Sequence, residues 1–320
     1  SQYISNNYLL LLAFFSVIGI ALSILFFPVK YYIEFYLEHK YNLSNQNIFS
    51  WLWEDIKGLL VGLVIGIPII LIFYYAISSF GSLWWLPFSV FMFLVSVIIA
   101  KILPILIFPI FYKVKSLENE ELKQKILALS SNIGMKVENV YMFNMSKNTK
   151  KANAAFTGLG KTKRILLADT LINEYSIDEI ETVLAHELGH YKYKHIIKNL
   201  VIGTIISFLM FYLIAVLYDV SLEWFGFTFR IEIGALPLLA LWGMIVSLVL
   251  TPITNIISRK FEYQADKYAA MVTKKVDIFI RTLERLNEQN LGDKNPHPIV
   301  EWYFYSHPSV QKRINYLSTL

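Results

Sequence analysis

Five apolar stretches dominate this chain and leave it few ways to fold. Residues 8–27, 58–80, 200–217 and 234–257 run without a charge. A fifth stretch, 83–110, is interrupted by Lys101, Pro104 and Pro109. Crossing the roughly 30 Å hydrocarbon core as a helix takes about 20 apolar residues, and each stretch is near or beyond that length. Soluble core helices seldom stay apolar for so long. The low charge content, 17% against about 25% in an ordinary soluble domain, follows from the same stretches. The expected fold is a mainly α polytopic transmembrane bundle. Lys101 should either snorkel to the interface or line a polar cavity.

The placement of lysine and arginine orients the bundle. Between the third and fourth stretches, residues 112–195 carry thirteen of them. Residues 219–233 carry only Arg230, against Asp219, Glu223 and Glu232. The positive-inside rule puts the first segment in the cytosol and the second outside. Two further spans return the chain to the cytosol at Arg259 and Lys260. Four consecutive parts are expected: 1–111 with the N-terminal spans, 112–195 as a cytosolic catalytic segment, 196–257 with two spans, and 258–320 as cytosolic helices. The net charge of +5 is a topology signal. Its lysines are too scattered for a nucleic-acid surface. The absence of cysteine excludes disulfides and thiolate ligands. Residues 8–27 lack a basic leader and a small-residue cleavage site, which argues against a signal peptide. The first residue is Ser rather than Met and a span follows almost at once, so N-terminal residues are expected to be missing.

Residues 112–195 change in pattern. Leu122, Ile126 and Leu129 have helical spacing within 118–132, with Gly134 as a stop. Residues 140–143, 152–156 and 164–168 suit strands, the last two joined as a hairpin through Gly158 and Gly160. Gly160-Lys161-Thr162 imitates the end of a phosphate-binding loop, but Ala155 stands where that motif needs its first glycine. Ser176 and Glu179 form a capping box that starts a helix running to His190 and on to His195.

That helix contains HELGH at 186–190. Histidines four apart share a helix face, so His186 and His190 can reach one metal ion. Glu187 is offset enough to stay off the metal and still touch a metal-bound water. Gly189 costs roughly 1 kcal/mol relative to alanine inside a helix, so a close neighbour should pack over it. A catalytic zinc site needs a third protein ligand and an open fourth position. Glu262 is the candidate, with Asp266 one turn later hydrogen-bonding a ligand histidine. The same two carboxylates could instead merely solvate a juxtamembrane helix. Taken alone, His307 reads as a surface histidine and Asn153 as a turn residue.

Together these motifs carry a resemblance. HELGH, Glu262-x-x-x-Asp266, the NAAFTG stretch at 153–158, KRILLADTL at 163–171 and Ser306-His307-Pro308 followed by Arg313 occur in the order that resembles the integral-membrane CAAX prenyl endopeptidases, type I. The resemblance spans nearly the whole chain. It implies a zincin-like (gluzincin) metallopeptidase domain with a small β-sheet and one Zn2+ per chain on His186, His190 and Glu262. It implies Glu187 as general base, Asn153 holding the substrate backbone, His307 steadying the oxyanion, and Arg313 as the structural neighbour of His307 on the substrate-binding side. The partners implied are the lipid bilayer and a peptide or protein substrate at the membrane, prenylated or otherwise membrane-associated. The active site would face the cytosol, at the inner membrane if the protein is bacterial. The family has seven spans where five are counted here, or six if 83–110 folds back at its prolines. The lack of long insertions suits a compact prokaryotic member. HtpX-type quality-control proteases share the zinc motifs but differ in span number and in the Ser-His-Pro motif. A closed zinc scaffold and a transporter are the remaining readings.

Overall fold

The computed structural model describes residues 6–131, 140–157 and 164–320. Among them, five helices are long and apolar enough to cross a membrane: α1 (Asn7–Lys40), α2 (Ile48–Leu83), α3 (Trp85–Phe111), and two later ones. The stretch 83–110 is therefore one span rather than a re-entrant pair. A widened turn at Leu103–Ile107 carries Pro104 without breaking α3. Lys101 is exposed on that helix, just before the widened turn, which leaves its stem free to lie along lipid. The chain groups into two compact units.

The first unit comprises residues 1–42, 47–97 and 202–249. Its interior is aromatic, with Trp84, Phe88 and Phe211 packed edge-on or tilted at centroid separations of 5.1–6.4 Å. Its outer faces are apolar as well, with Val17, Ile24 and Val64 more than two-thirds exposed, as side chains facing lipid should be. Arg230, the lone basic residue of the 219–233 loop, makes a bidentate pair with Asp219 at 3.1 Å for each contact. It therefore adds little net positive charge to its side of the bilayer.

The second unit holds residues 43–46, 98–201 and 250–320. Its sheet contains β1 (Val114–Ser116), β2 (Val140–Phe143), β3 (Ala154–Thr157) and β4 (Arg164–Ala168), in the order β1-β2-β4-β3. β2 and β4 run parallel with Phe143 opposite Ala168, while β3 is antiparallel to β4 with Ala154 opposite Leu167. β4 is central and reads as a continuous apolar run, so Ile165, Leu166, Leu167 and Ala168 are all buried. β3 is one of the two edge strands of the sheet among the described residues. The hairpin expectation holds for the β3–β4 pairing. Its turn and Gly134 lie outside the described residues.

Helix α4 (Glu120–Ser131) lays Leu122, Ile126 and Leu129 into the core, as their spacing requires. The short α5 (Asp169–Glu174) leads to α6 (Ile177–Lys192), which opens on a complete capping box between Ser176 and Glu179. α6 ends sooner than expected. Lys194 adopts φ +56°, and a new helix, α7 (His195–Ser221), begins at His195 and forms the fourth span.

The fifth, α8 (Ile233–Thr273), has 41 residues, about 60 Å of helix and twice what a bilayer core requires. Its second half continues past the apolar 234–257 stretch and crosses α6. At the crossing, a Cβ built on Gly189 would lie 2.9 Å from the Ala265 Cα and 3.2 Å from the Tyr268 Cβ. Glycine is needed because backbone meets backbone. Gly189→Ala should push α6 and α8 apart and lower the melting temperature of the purified protein, at a cost of about 1–3 kcal/mol. An unchanged melting temperature would mean that the crossing is looser than these distances say.

Candidate metal centre

α6 and α8 meet where three donor side chains converge. His186 Nε2 and His190 Nε2 are 3.1 Å apart. Glu262 places Oε2 at 3.4 Å from the first and Oε1 at 3.3 Å from the second. All three donors lie within 4.8 Å of one another, and Glu262 is only 4% exposed. Four ligands at 2.0–2.2 Å around a tetrahedral ion stand about 3.3 Å from each other, which is the spacing seen here. Glu262 Oε2 is buried and has no hydrogen-bond partner. A buried carboxylate oxygen without a donor is costly, and a cation among these groups removes that cost. The residues fit a divalent metal ion.

The outward-facing ring nitrogen of His186 is also committed. His186 Nδ1 donates to Asp266 Oδ1 at 2.8 Å, which keeps the lone pair on Nε2 for the cluster. Asp266 is fully buried and carries a bidentate contact from Arg313, with Nε at 2.8 Å and Nη2 at 2.6 Å. Burial works against charge on His186, but the Asp266 and Glu262 carboxylates beside it outweigh burial and raise its pKa to about 9. The pocket thus favours positive charge at the position where a cation would sit. Burial likewise opposes the Arg313 charge, and Asp266 more than offsets it.

Around the cluster is a cleft of about 430 Å³. Asn153, Glu187, His307 and Arg313 all line it, together with apolar residues such as Val183 and Leu283. Glu187 is half-buried on α6. Asn153 is exposed just before β3, and its carbonyl accepts from Ala168 N at 3.0 Å, so the strand ladder reaches the cleft. His307 sits on the open rim with its side chain 64% exposed and Nε2 3.4 Å from Glu262 Oε1. Arg313 touches both the cleft and Asp266.

Sequence spacing alone did not find what holds His307 in place. Helices α9 (Val276–Gln289), α10 (Pro298–Phe304) and α11 (Val310–Leu317) follow α8. Arg259 on α8 donates to the carbonyls of Glu301 and Tyr305, at 3.2 and 2.5 Å, anchoring the end of α10. The buried Glu301 carboxylate accepts from Ser309 N at 3.0 Å and pairs with Lys312 at 2.8 Å. The Ser306-His307-Pro308 turn is therefore fastened on both sides. Arg259 reads in sequence only as a topology charge at a span end, and Glu301 carries no motif.

Comparison with known proteins agrees with this geometry. Residues 116–320 match the model of peptidase family M48, and residues 1–113 match the CAAX prenyl protease N-terminal model, described as five membrane helices. The chain belongs to peptidase family M48. Three of the five candidate spans lie in the part matched by the N-terminal model. CAAX prenyl protease 1 of Saccharomyces cerevisiae is 34% identical over 91% of this chain and 68% of its own length. The uncharacterized metalloprotease YhfN of Bacillus subtilis is 31% identical over 97% of this chain and 74% of its own. The crystal structure of S. mikatae Ste24p superposes with a TM-score of 0.89 at 32% identity, covering 98% of this chain and 77% of that one. The protein is an integral-membrane metalloendopeptidase of this family, working at the bilayer on peptide substrates.

Asp266→Asn keeps the shape of the side chain but weakens it as an acceptor for His186. Metal affinity measured by chelator competition should fall about 10–100-fold. Asp266→Ala should also lower thermal stability, by about 3–5 kcal/mol, because it strands the buried Arg313 charge. Parent-like affinity in both variants would separate Asp266 from the centre.

Proposed function

We propose that the protein is a zinc endopeptidase that cuts extended, membrane-tethered peptides, including prenylated CAAX-type C-termini, at a site facing the cytosol. The observation that carries this reading is the buried Glu262 carboxylate aimed at two imidazole nitrogens in a cleft that Ala154 of the edge strand β3 also lines. In this reading His186, His190 and Glu262 hold one Zn2+ per chain. When bound, zinc polarises a carbonyl and lowers the pKa of a water from about 15.7 towards 7.

The chain's own groups do the remaining work. An extended substrate pairs with β3, and backbone pairing tolerates varied side chains. Asn153, at the mouth of that strand, holds the substrate backbone in register. Glu187 takes a proton from the attacking water and delivers it to the leaving amine, as a general base and then a general acid. His307 Nε2 donates to the carbonyl oxygen as it gains charge. Its exposed position on the rim suits a group that meets a substrate rather than the protein interior. Arg313 acts through Asp266, keeping His186 in the tautomer that leaves its Nε2 lone pair free. The prenyl-protease relatives and the N-terminal match support a CAAX-type substrate over an HtpX-type quality-control role.

Glu187→Gln should retain metal and abolish peptide cleavage. His307→Ala should retain metal and lower turnover on the order of a hundredfold, the worth of one oxyanion donor. Assays on matched prenylated and unprenylated peptides, with Glu187→Gln as the blank, test the substrate class. A preference for the prenylated peptide is expected. Cleavage that survives Glu187→Gln would contradict the mechanism.

The chain has no cysteine, so single replacements report sidedness cleanly. Lys123→Cys should be shielded from an impermeant maleimide added outside intact cells, whereas Thr228→Cys should be labelled. The reverse pattern would put the site on the other face.

A further inference from the structure

We propose that His195 and Gln264 form a neutral relay that fixes the tautomer of His190 and thereby sets how tightly His190 holds the metal. The inference rests on the reading of His190 as a ligand given above. Neither residue supplies a donor atom to the cluster, so both are positioning residues.

The geometry begins with the break after α6. His195 is five residues beyond His190, and five residues of continuous helix turn about 500°, leaving the two side chains about 140° apart. On an unbroken helix His195 would face away. The left-handed backbone at Lys194, φ +56°, ends α6 and redirects the chain. His195 Nδ1 then lies 2.9 Å from His190 Nδ1. Its Nε2 lies 2.9 Å from Gln264 Oε1. The ring is 1% exposed and lies parallel to Phe261 at 4.2 Å and 11°, with Tyr193 also stacked on it at 5.8 Å and 24°. Burial and stacking leave the imidazole one orientation.

Proton positions follow from donor and acceptor chemistry. The Gln264 amide oxygen only accepts, so His195 must carry a proton on Nε2. Two Nδ1 atoms at 2.9 Å form a hydrogen bond only if one of them bears the proton. Were it on His195, that ring would be doubly protonated, and His190 would have to carry its own proton on Nε2, facing His186 Nε2 at 3.1 Å. That arrangement removes a lone pair from the donor cluster. The consistent assignment runs from His190 Nδ1–H to His195 Nδ1, and from His195 Nε2–H to Gln264 Oε1. His190 Nε2 is then free to donate its lone pair.

The two ligand histidines are thus oriented by unlike groups. His186 leans on the Asp266 carboxylate, and His190 leans on a neutral imidazole backed by a neutral amide. A carboxylate behind an imidazole raises its basicity as a ligand, so His190 is the weaker of the pair. Phe261, Glu262, Gln264 and Asp266 lie within six residues of α8. One helical segment therefore supplies the third donor and sets the tautomers of the other two.

The test is the zinc dissociation constant of the purified full chain, measured by competition with a chromogenic chelator. His195→Phe keeps the stacked ring but offers no acceptor, and should weaken zinc about 10–100-fold. His195→Asn places an amide oxygen near the position of Nδ1 and should recover most of that loss. Gln264→Leu should weaken binding, whereas Gln264→Glu should bind as tightly as the parent or more tightly. Metal-free melting temperatures should be alike across the series. Parent-like affinity in His195→Phe, or no recovery in His195→Asn, would overturn the relay. If His195→Phe does not fold, the Gln264 pair decides, and equal affinity of its leucine and glutamate variants overturns the proposal. His190→Ala is the control for the underlying reading. Undiminished zinc binding there would remove His190 as a ligand, whereas its loss beside an unaffected His195→Phe would remove the relay alone.

Discussion

The contact between Gly189 and Ala265 sets the spacing on which the whole centre depends. A Cβ at position 189 would come within 2.9 Å of the α8 backbone, so only glycine allows α6 and α8 to cross this closely. The crossing brings donors that are 76 residues apart in sequence, His186 and Glu262, to within 3.4 Å. A wider crossing would leave Glu262 facing a gap. The helix that pays an entropic penalty for Gly189 is therefore the one that needs it, and the requirement comes from its neighbour rather than from its own stability.

Much of the outline is legible in the linear chain because it rests on local periodicity. Five charge-poor stretches mark five long helices. The Leu122, Ile126, Leu129 stripe, the Ser176–Glu179 capping box and the β3–β4 hairpin are short-range patterns with short-range physics. The pairing of His186 with His190 is equally local. Glu262 and Asp266 could be singled out because their four-residue spacing places them on one face, although spacing alone also fits a solvated juxtamembrane helix.

What could not be read depends on contacts distant in sequence. The three-residue β1 has too little pattern to stand out, and its place beside β2 comes from tertiary pairing. Lys194 has no glycine-like signal for its left-handed backbone, so the sequence pattern predicts a helix continuing to His195. Arg259 looks like a charge marking a span end, whereas its guanidinium caps the carbonyls of Glu301 and Tyr305. The resemblance places Arg313 at the substrate, whereas its bidentate grip on Asp266 ties it to the carboxylate that holds His186. In each case the decisive partner lies at least twenty-five residues away or the outcome depends on one unusual backbone angle.

Zinc-edge X-ray absorption of the purified protein tests the central claim most directly, because multiple scattering counts imidazoles. Two imidazole nitrogens and oxygen ligands at about 2.0–2.2 Å, with one oxygen contribution lost or replaced in Glu262→Ala, are expected. A third imidazole in the parent protein, recruited from His195 or His307, or a spectrum unchanged by Glu262→Ala, would contradict the convergence of α6 and α8 on one ion.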